Sequence, residues 1–68
     1  SYKEEQEFLQ LEKDLPLLEA EIKNLEERMS SGALASDELQ KAGAQYQLLS
    51  NELDEKTMRW LELSELGN

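Results

Sequence analysis

The chain has 68 residues, sixteen acidic against seven basic, for a net charge of −9, and it contains neither cysteine nor histidine. That composition excludes disulfides, thiolate metal sites, thiol nucleophiles and imidazole chemistry. A single core of this size rarely supplies more than about 3–5 kcal/mol of net stability. No apolar run approaches the ~18–20 residues that span a bilayer. With no initiator Met and no signal-peptide pattern, the chain is expected to be a piece of a longer protein, and the lack of cysteine fits a cytoplasmic one.

The first predicted element carries an apolar repeat: Phe8, Leu11, Leu15, Leu18, Ile22, Leu25 and Met29 follow at alternating steps of three and four. On a helix this spacing forms one narrow stripe, the seam of a coiled coil. Pro16 falls inside it. A proline in a helix interior removes a hydrogen bond and clashes with the preceding turn, at about 3 kcal/mol, whereas at a helix start it costs little. The reading is therefore a short helix with a break over residues 1–15 and a first arm over 16–30. Because the seam stays in phase across Pro16, a kink is the alternative.

A loop over residues 31–36 follows, too small and polar to carry the seam. Gly32 is placed to take the left-handed conformation that ends a helix. Ser36 is placed to cap the next one, with Asp37 and Glu38 facing the positive end of its dipole. The second arm, residues 37–66, repeats the pattern with Leu39, Ala42, Tyr46, Leu49, Leu53, Lys56, Trp60 and Leu63. The expected fold is all-α, an antiparallel two-helix coiled-coil hairpin forming a single domain and a monomer. Its register sets Met29 against Leu39, Ile22 against Tyr46, Leu15 against Leu53 and Phe8 against Trp60. Between these layers Leu25 meets Ala42, Leu18 meets Leu49, and Leu11 meets Lys56, whose charge is expected to pair with Glu12. Leu18, Ile22, Leu25, Leu49 and Leu53 should be the most buried aliphatics. Gly43, beside the seam, should be compensated by close helix approach.

Carboxylates are plentiful, but neighbours on a helix splay about 100° apart and a two-helix hairpin encloses no pocket in which their pKa values would shift. No residue is assigned to catalysis, to a cofactor or to a metal. The apolar residues off the seam say more. Tyr2, Leu9, Met58, Leu61 and Leu66 gather at the open end beside Phe8 and Trp60. Either the first helix folds back over them, or they form a docking patch for a partner. Leu34 at the tip is a further candidate for partner contact, so the candidate contact residues are Tyr2, Leu9, Leu34, Met58 and Leu61. The basic residues, among them Lys13, Lys23, Arg28 and Lys41, form no stripe, and the negative field repels phosphate.

Ser1-Tyr2-Lys3-Glu4 at the start, Leu15-Pro16 before a leucine- and glutamate-rich helix, and Arg59-Trp60-Leu61-Glu62-Leu63 near the end resemble the C-terminal domain of the Uup-like ABC-F ATPases over essentially the whole chain. The resemblance implies a cytoplasmic parent with two ATP-binding cassettes and no membrane domain, acting on ribosomes, with a C-terminal domain linked to DNA binding. ATP and magnesium would belong to the cassettes, leaving this segment an accessory arm that contacts DNA or the ribosome and helps position them. A purely structural module, docking on its own ATPase core or on a partner helix, is the alternative. An RNA-reading hairpin like those on tRNA synthetases is a third reading, against which the Arg59-Trp60 ending counts.

Overall fold

The computed structural model describes residues 1–67. Helix α1 spans Tyr2–Ser30 and helix α2 spans Ser36–Leu66, and the two pack along one another in a body measuring 48 × 15 × 15 Å. The described residues contain no strand. Two contacts fix the direction and register: Phe8 stacks on Trp60, and Lys56 reaches Asp14. Position numbers that rise on α1 while they fall on α2 define an antiparallel hairpin, as the two seams require.

The first helix is not broken. It runs through Pro16 without interruption, so the expected break at residues 14–15 does not occur. Pro16 lies on the exposed side of α1, and the helical hydrogen bond it cannot make is the one to the Glu12 carbonyl. Leu11 before it and Leu18 after it are both buried. Burying a leucine is worth about 1.5–3 kcal/mol, and a break would put one of the two out of phase. The seam therefore outweighs the missing hydrogen bond.

The turn is built as its residues suggest. Ser31 caps α1, donating from its hydroxyl to the Arg28 carbonyl at 2.7 Å and accepting from the Ala33 amide at 3.2 Å. Gly32 then takes φ +77°. The start of α2 differs from expectation. Ser36 is the first helical residue, and Ala35 stands at the cap position in extended backbone with no side chain to accept a hydrogen bond. Asp37 and Glu38 do occupy the first turn. Leu34 is half-buried and packs on the core cluster, closing the tip of the hairpin rather than projecting from it.

Gly43 is not explained by close packing, because a Cβ built there meets no atom within 4 Å. The two glycines therefore respond oppositely to alanine. Gly43→Ala should stabilise the hairpin by up to about 1 kcal/mol, the propensity difference in a helix interior. Gly32→Ala should cost about 1–2 kcal/mol, because the left-handed backbone crowds a Cβ. Urea melts followed by ellipticity measure both, and an unchanged midpoint for Gly32→Ala would contradict this account of the turn.

The core is asymmetric. Lettering the heptads with Phe8 and Leu39 at position a, the d layer holds Leu11, Leu18, Leu25, Ala42, Leu49 and Leu63, all buried, and the half-buried Lys56. In the a layer only Ile22 is buried. Phe8, Leu15, Met29, Tyr46, Leu53 and Trp60 are half-buried and Leu39 is exposed. Leu53 thus falls short of the burial expected from its place on the seam, while Leu63 and Leu11 exceed it. The cause lies in the flanking positions.

Candidate interaction surface

A coiled-coil seam is flanked by two edges, one formed by the g positions next to d and one by the e positions next to a. On the g edge α1 supplies Glu7, Asp14, Glu21 and Arg28, and α2 supplies Glu38, Gln45, Glu52 and Arg59. Toward the open end these side chains join across the d layer. Arg59 donates from Nε and Nη2 to the two carboxylate oxygens of Glu7 at 2.8 and 2.9 Å, and from Nη1 to Glu62 at 3.2 Å. Lys56 Nζ lies 3.2 Å from Asp14 Oδ2 and 3.1 Å from Glu52 Oε2.

Lys56 does not pair with Glu12 as expected. It sits at d, which borders the g edge, and Glu12 is at e on the other side of the seam. Asp14 and Glu52 are both at g, within reach of a lysine side chain leaving a d position. Asp14 is held in place by Gln10, which donates to its other oxygen at 2.9 Å.

Electrostatics follow this geometry. Donation by Arg59 keeps the Glu7 carboxyl below its ordinary 4.5. Donation by Gln10, and then by Lys56, does the same for Asp14. Glu52 and Asp14 in turn raise the Lys56 ammonium. A carboxyl with a lowered folded-state pKa contributes stability above its unfolded value and loses that contribution as pH falls through the folded value. Glu7→Gln should therefore lower the melting temperature at neutral pH, and the gap to the parent should close below about pH 4.5. Both partners are more than a third exposed, so added salt should narrow the gap too. A gap that persists at low pH and high salt would mean that Glu7 acts through packing instead.

The e edge is the opposite of the g edge. On α1 it is a row of glutamates, Glu5, Glu12, Glu19 and Glu26. On α2 it is a row of small residues, Gly43, Ser50, Thr57 and Ser64. The small row is half-buried and covers little, which leaves the a layer open along this side. None of these glutamates forms an ion pair among the described residues.

At the open end the helix does not fold back. Tyr2, Leu9, Met58 and Leu61 remain between 43% and 76% exposed, and Leu66 is exposed as well. Helical spacing sets Tyr2 and Leu9 beside the glutamate row and Leu61 beside the small row, with Met58 further round on the outer side of α2. These four candidate contact residues thus share the open end of the hairpin, around the Phe8–Trp60 stack, whose centroids lie 5.9 Å apart with planes 16° from parallel. Leu34, at the far tip, is not part of that group. The basic residues do not converge: spacing puts Lys13 on the outer side of α1, Lys23 toward the e edge, and Arg28 with Lys41 toward the g edge near the turn.

The Arg59-Trp60 pair therefore acts as a clasp, in which Arg59 grips Glu7 while Trp60 stacks on Phe8. A family model described as the ABC transporter C-terminal domain matches residues 1–65, nearly the full hairpin. The chain belongs to that family. A comparison with curated proteins finds no match, and neither does one with solved structures. This ABC transporter C-terminal domain is an accessory, non-catalytic segment. Among its described residues no helix is long and apolar enough to cross a membrane, and no cluster of side chains is placed to hold a metal ion.

Proposed function

We propose that this hairpin is a non-catalytic arm of a cytoplasmic ABC-F ATPase that positions its parent's ATP-binding cassettes through protein contact. The observation that carries the reading is the exposed apolar group of Tyr2, Leu9, Met58 and Leu61 around the Phe8–Trp60 stack. Solvent-facing apolar residues gathered at one end of so short a domain mark an interaction site. The ion-paired clasp beside them keeps the two helix ends in register, so the patch is presented as a rigid unit. ATP and magnesium fall to the cassettes. The hairpin has no glycine-rich phosphate loop, and its one left-handed glycine lies in a tight turn.

The family resemblance also implies contact with DNA or the ribosome. The charge pattern argues against DNA as a ligand of the hairpin by itself, since a net charge of −9 without a basic stripe repels phosphate. The docking half of the reading is therefore the one that the geometry favours.

Mixing the 68-residue chain with the purified cassettes of its parent tests it, with the single tryptophan, Trp60, as the fluorescent reporter. Leu9→Asp and Leu61→Asp alter exposed side chains and should leave the hairpin folded, yet weaken association by about tenfold or more if these are central contacts. Association that both variants leave intact would sink the docking reading. In a parallel titration at about 150 mM salt, duplex DNA should bind more weakly than the ~10⁻⁴ M limit of ordinary non-specific complexes. Micromolar binding there would move the function to nucleic acid.

A further inference from the structure

The open a layer describes a groove that the two helices leave unfilled. Its floor is Phe8, Leu15, Tyr46, Leu53 and Trp60, all half-buried, with Met29 and the exposed Leu39 at the turn end. One bank is the glutamate row of α1 and the other is the small-residue row of α2. Two open clefts, of about 680 and 460 Å³, border this side, the larger at the open end where Ser1, Leu63 and Leu66 also line it. The first is lined by Glu5, Phe8, Leu9 and Ser64, and the second by Glu26, Met29, Leu39 and Tyr46.

We propose that this face receives a third helix, amphipathic and basic, supplied by a partner protein. The inference rests on the docking reading above and names the chemistry of what docks. The apolar floor calls for an apolar stripe on the incoming helix. Gly43, Ser50, Thr57 and Ser64 keep one bank low enough for that helix to approach closely. Glu5, Glu12, Glu19 and Glu26 recur every seven residues, about 10.5 Å apart along the axis. A facing helix meets each of them with one lysine or arginine per heptad. On the g edge Glu7, Asp14 and Glu52 already have cations, whereas none of the four e-edge glutamates of α1 does among the described residues. On the e edge Lys23 is the single basic residue near the groove, and it does not neutralise the row. A second copy of this chain is a poor occupant, because it would bring another net charge of −9 against the same row. Charge thus selects a basic partner, and the apolar floor selects a helix rather than a flexible polycation.

The test uses two synthetic helical peptides of about four heptads each. They share one leucine stripe and differ in carrying lysine or glutamate at the flanking position of every heptad. The lysine peptide should change Trp60 fluorescence and shift the amide resonances of Ser50, Thr57 and Ser64. The glutamate peptide should bind about tenfold more weakly or worse, with the difference shrinking as salt is added. Glu12→Lys with Glu19→Lys neutralises the row against the remaining Glu5 and Glu26 and should abolish the preference, and the milder Glu12→Gln with Glu19→Gln should reduce it if the charge change unfolds the chain. Glu27→Lys with Glu55→Lys makes the same change in net charge on outward positions and should leave the preference standing.

Equal binding of both peptides, shifts confined to Leu17 and Leu48, which are exposed at c positions on the g-edge side, or no binding at all would overturn the proposal. So would a doubling of mass in sedimentation that produces the same amide shifts without peptide, since the occupant would then be a second copy. If the peptides fail while the cassettes still bind through Leu9 and Leu61, the basic-helix inference falls and the docking reading survives. If cassette binding is also lost, both fall.

Discussion

Leu25→Ala should remove most of the stability of this hairpin. Leu25 is 6% exposed in the closed d layer and belongs to the cluster with Leu18, Ile22, Ala42 and Leu49. Truncating a buried leucine costs about 2–5 kcal/mol, from the lost transfer free energy and the cavity left behind. A domain of this size has about 3–5 kcal/mol in total. The cavity has little chance to collapse, because Ala42 across the seam is already small. A urea melt followed by far-UV ellipticity should show the variant largely unfolded without denaturant, or with its midpoint moved close to zero. Leu53→Ala supplies the internal comparison. Leu53 lies in the open a layer and is half-buried, so its truncation gives up less area and leaves space that water enters. Equal losses for the two variants would mean that the layers are equally packed, against the burial pattern described above. An unchanged melt for Leu25→Ala would mean that the register is wrong.

Pro16→Ala should act in the opposite direction and nearly as strongly. The continuous α1 carries Pro16 in its interior, where proline costs about 3 kcal/mol relative to alanine. Alanine restores the amide that the Glu12 carbonyl lacks and relieves the clash with the preceding turn. The side chain is exposed, so no packing is lost. Proline also restricts the unfolded chain, and its removal returns about 0.4–1 kcal/mol of that advantage. The net expectation is a gain of about 2–3 kcal/mol, and each kcal/mol moves the melting temperature of so small a domain by about 4–8 °C. Thermal melts at matched concentration measure it. A variant no more stable than the parent would show that α2 packs against a bend in α1 that only Pro16 supports.

Much of this architecture is legible in one dimension because coiled-coil packing is periodic. The spacing of Phe8 to Met29 and of Leu39 to Leu63 carries the two arms, and the small polar segment with Gly32 carries the turn. Counting from the turn then pairs Phe8 with Trp60 without further information, and the two rings do stack. The exposed group at the open end was also in view as a set of apolar residues off the seam. Which of its two fates applied was not, because folding back depends on a break at Pro16. A local rule about proline gives that break, and two buried leucines override it.

The sequence by itself therefore determined the two arms, their antiparallel pairing and their register, since each follows from residue spacing on a regular helix, but not the continuity of the first arm. It also contained the row of Gly43, Ser50, Thr57 and Ser64, although its meaning depends on what stands across the seam. Only the tertiary structure decided that α1 passes through Pro16, that Lys56 takes Asp14 and Glu52 in place of Glu12, and that Leu34 closes the tip. It alone closed one side of the core and left the other open. These outcomes share a physical cause. Burial and charge pairing are settled between helices, where a side chain reaches the edge that its heptad position borders, and a seam read along one strand at a time does not show which edge that is.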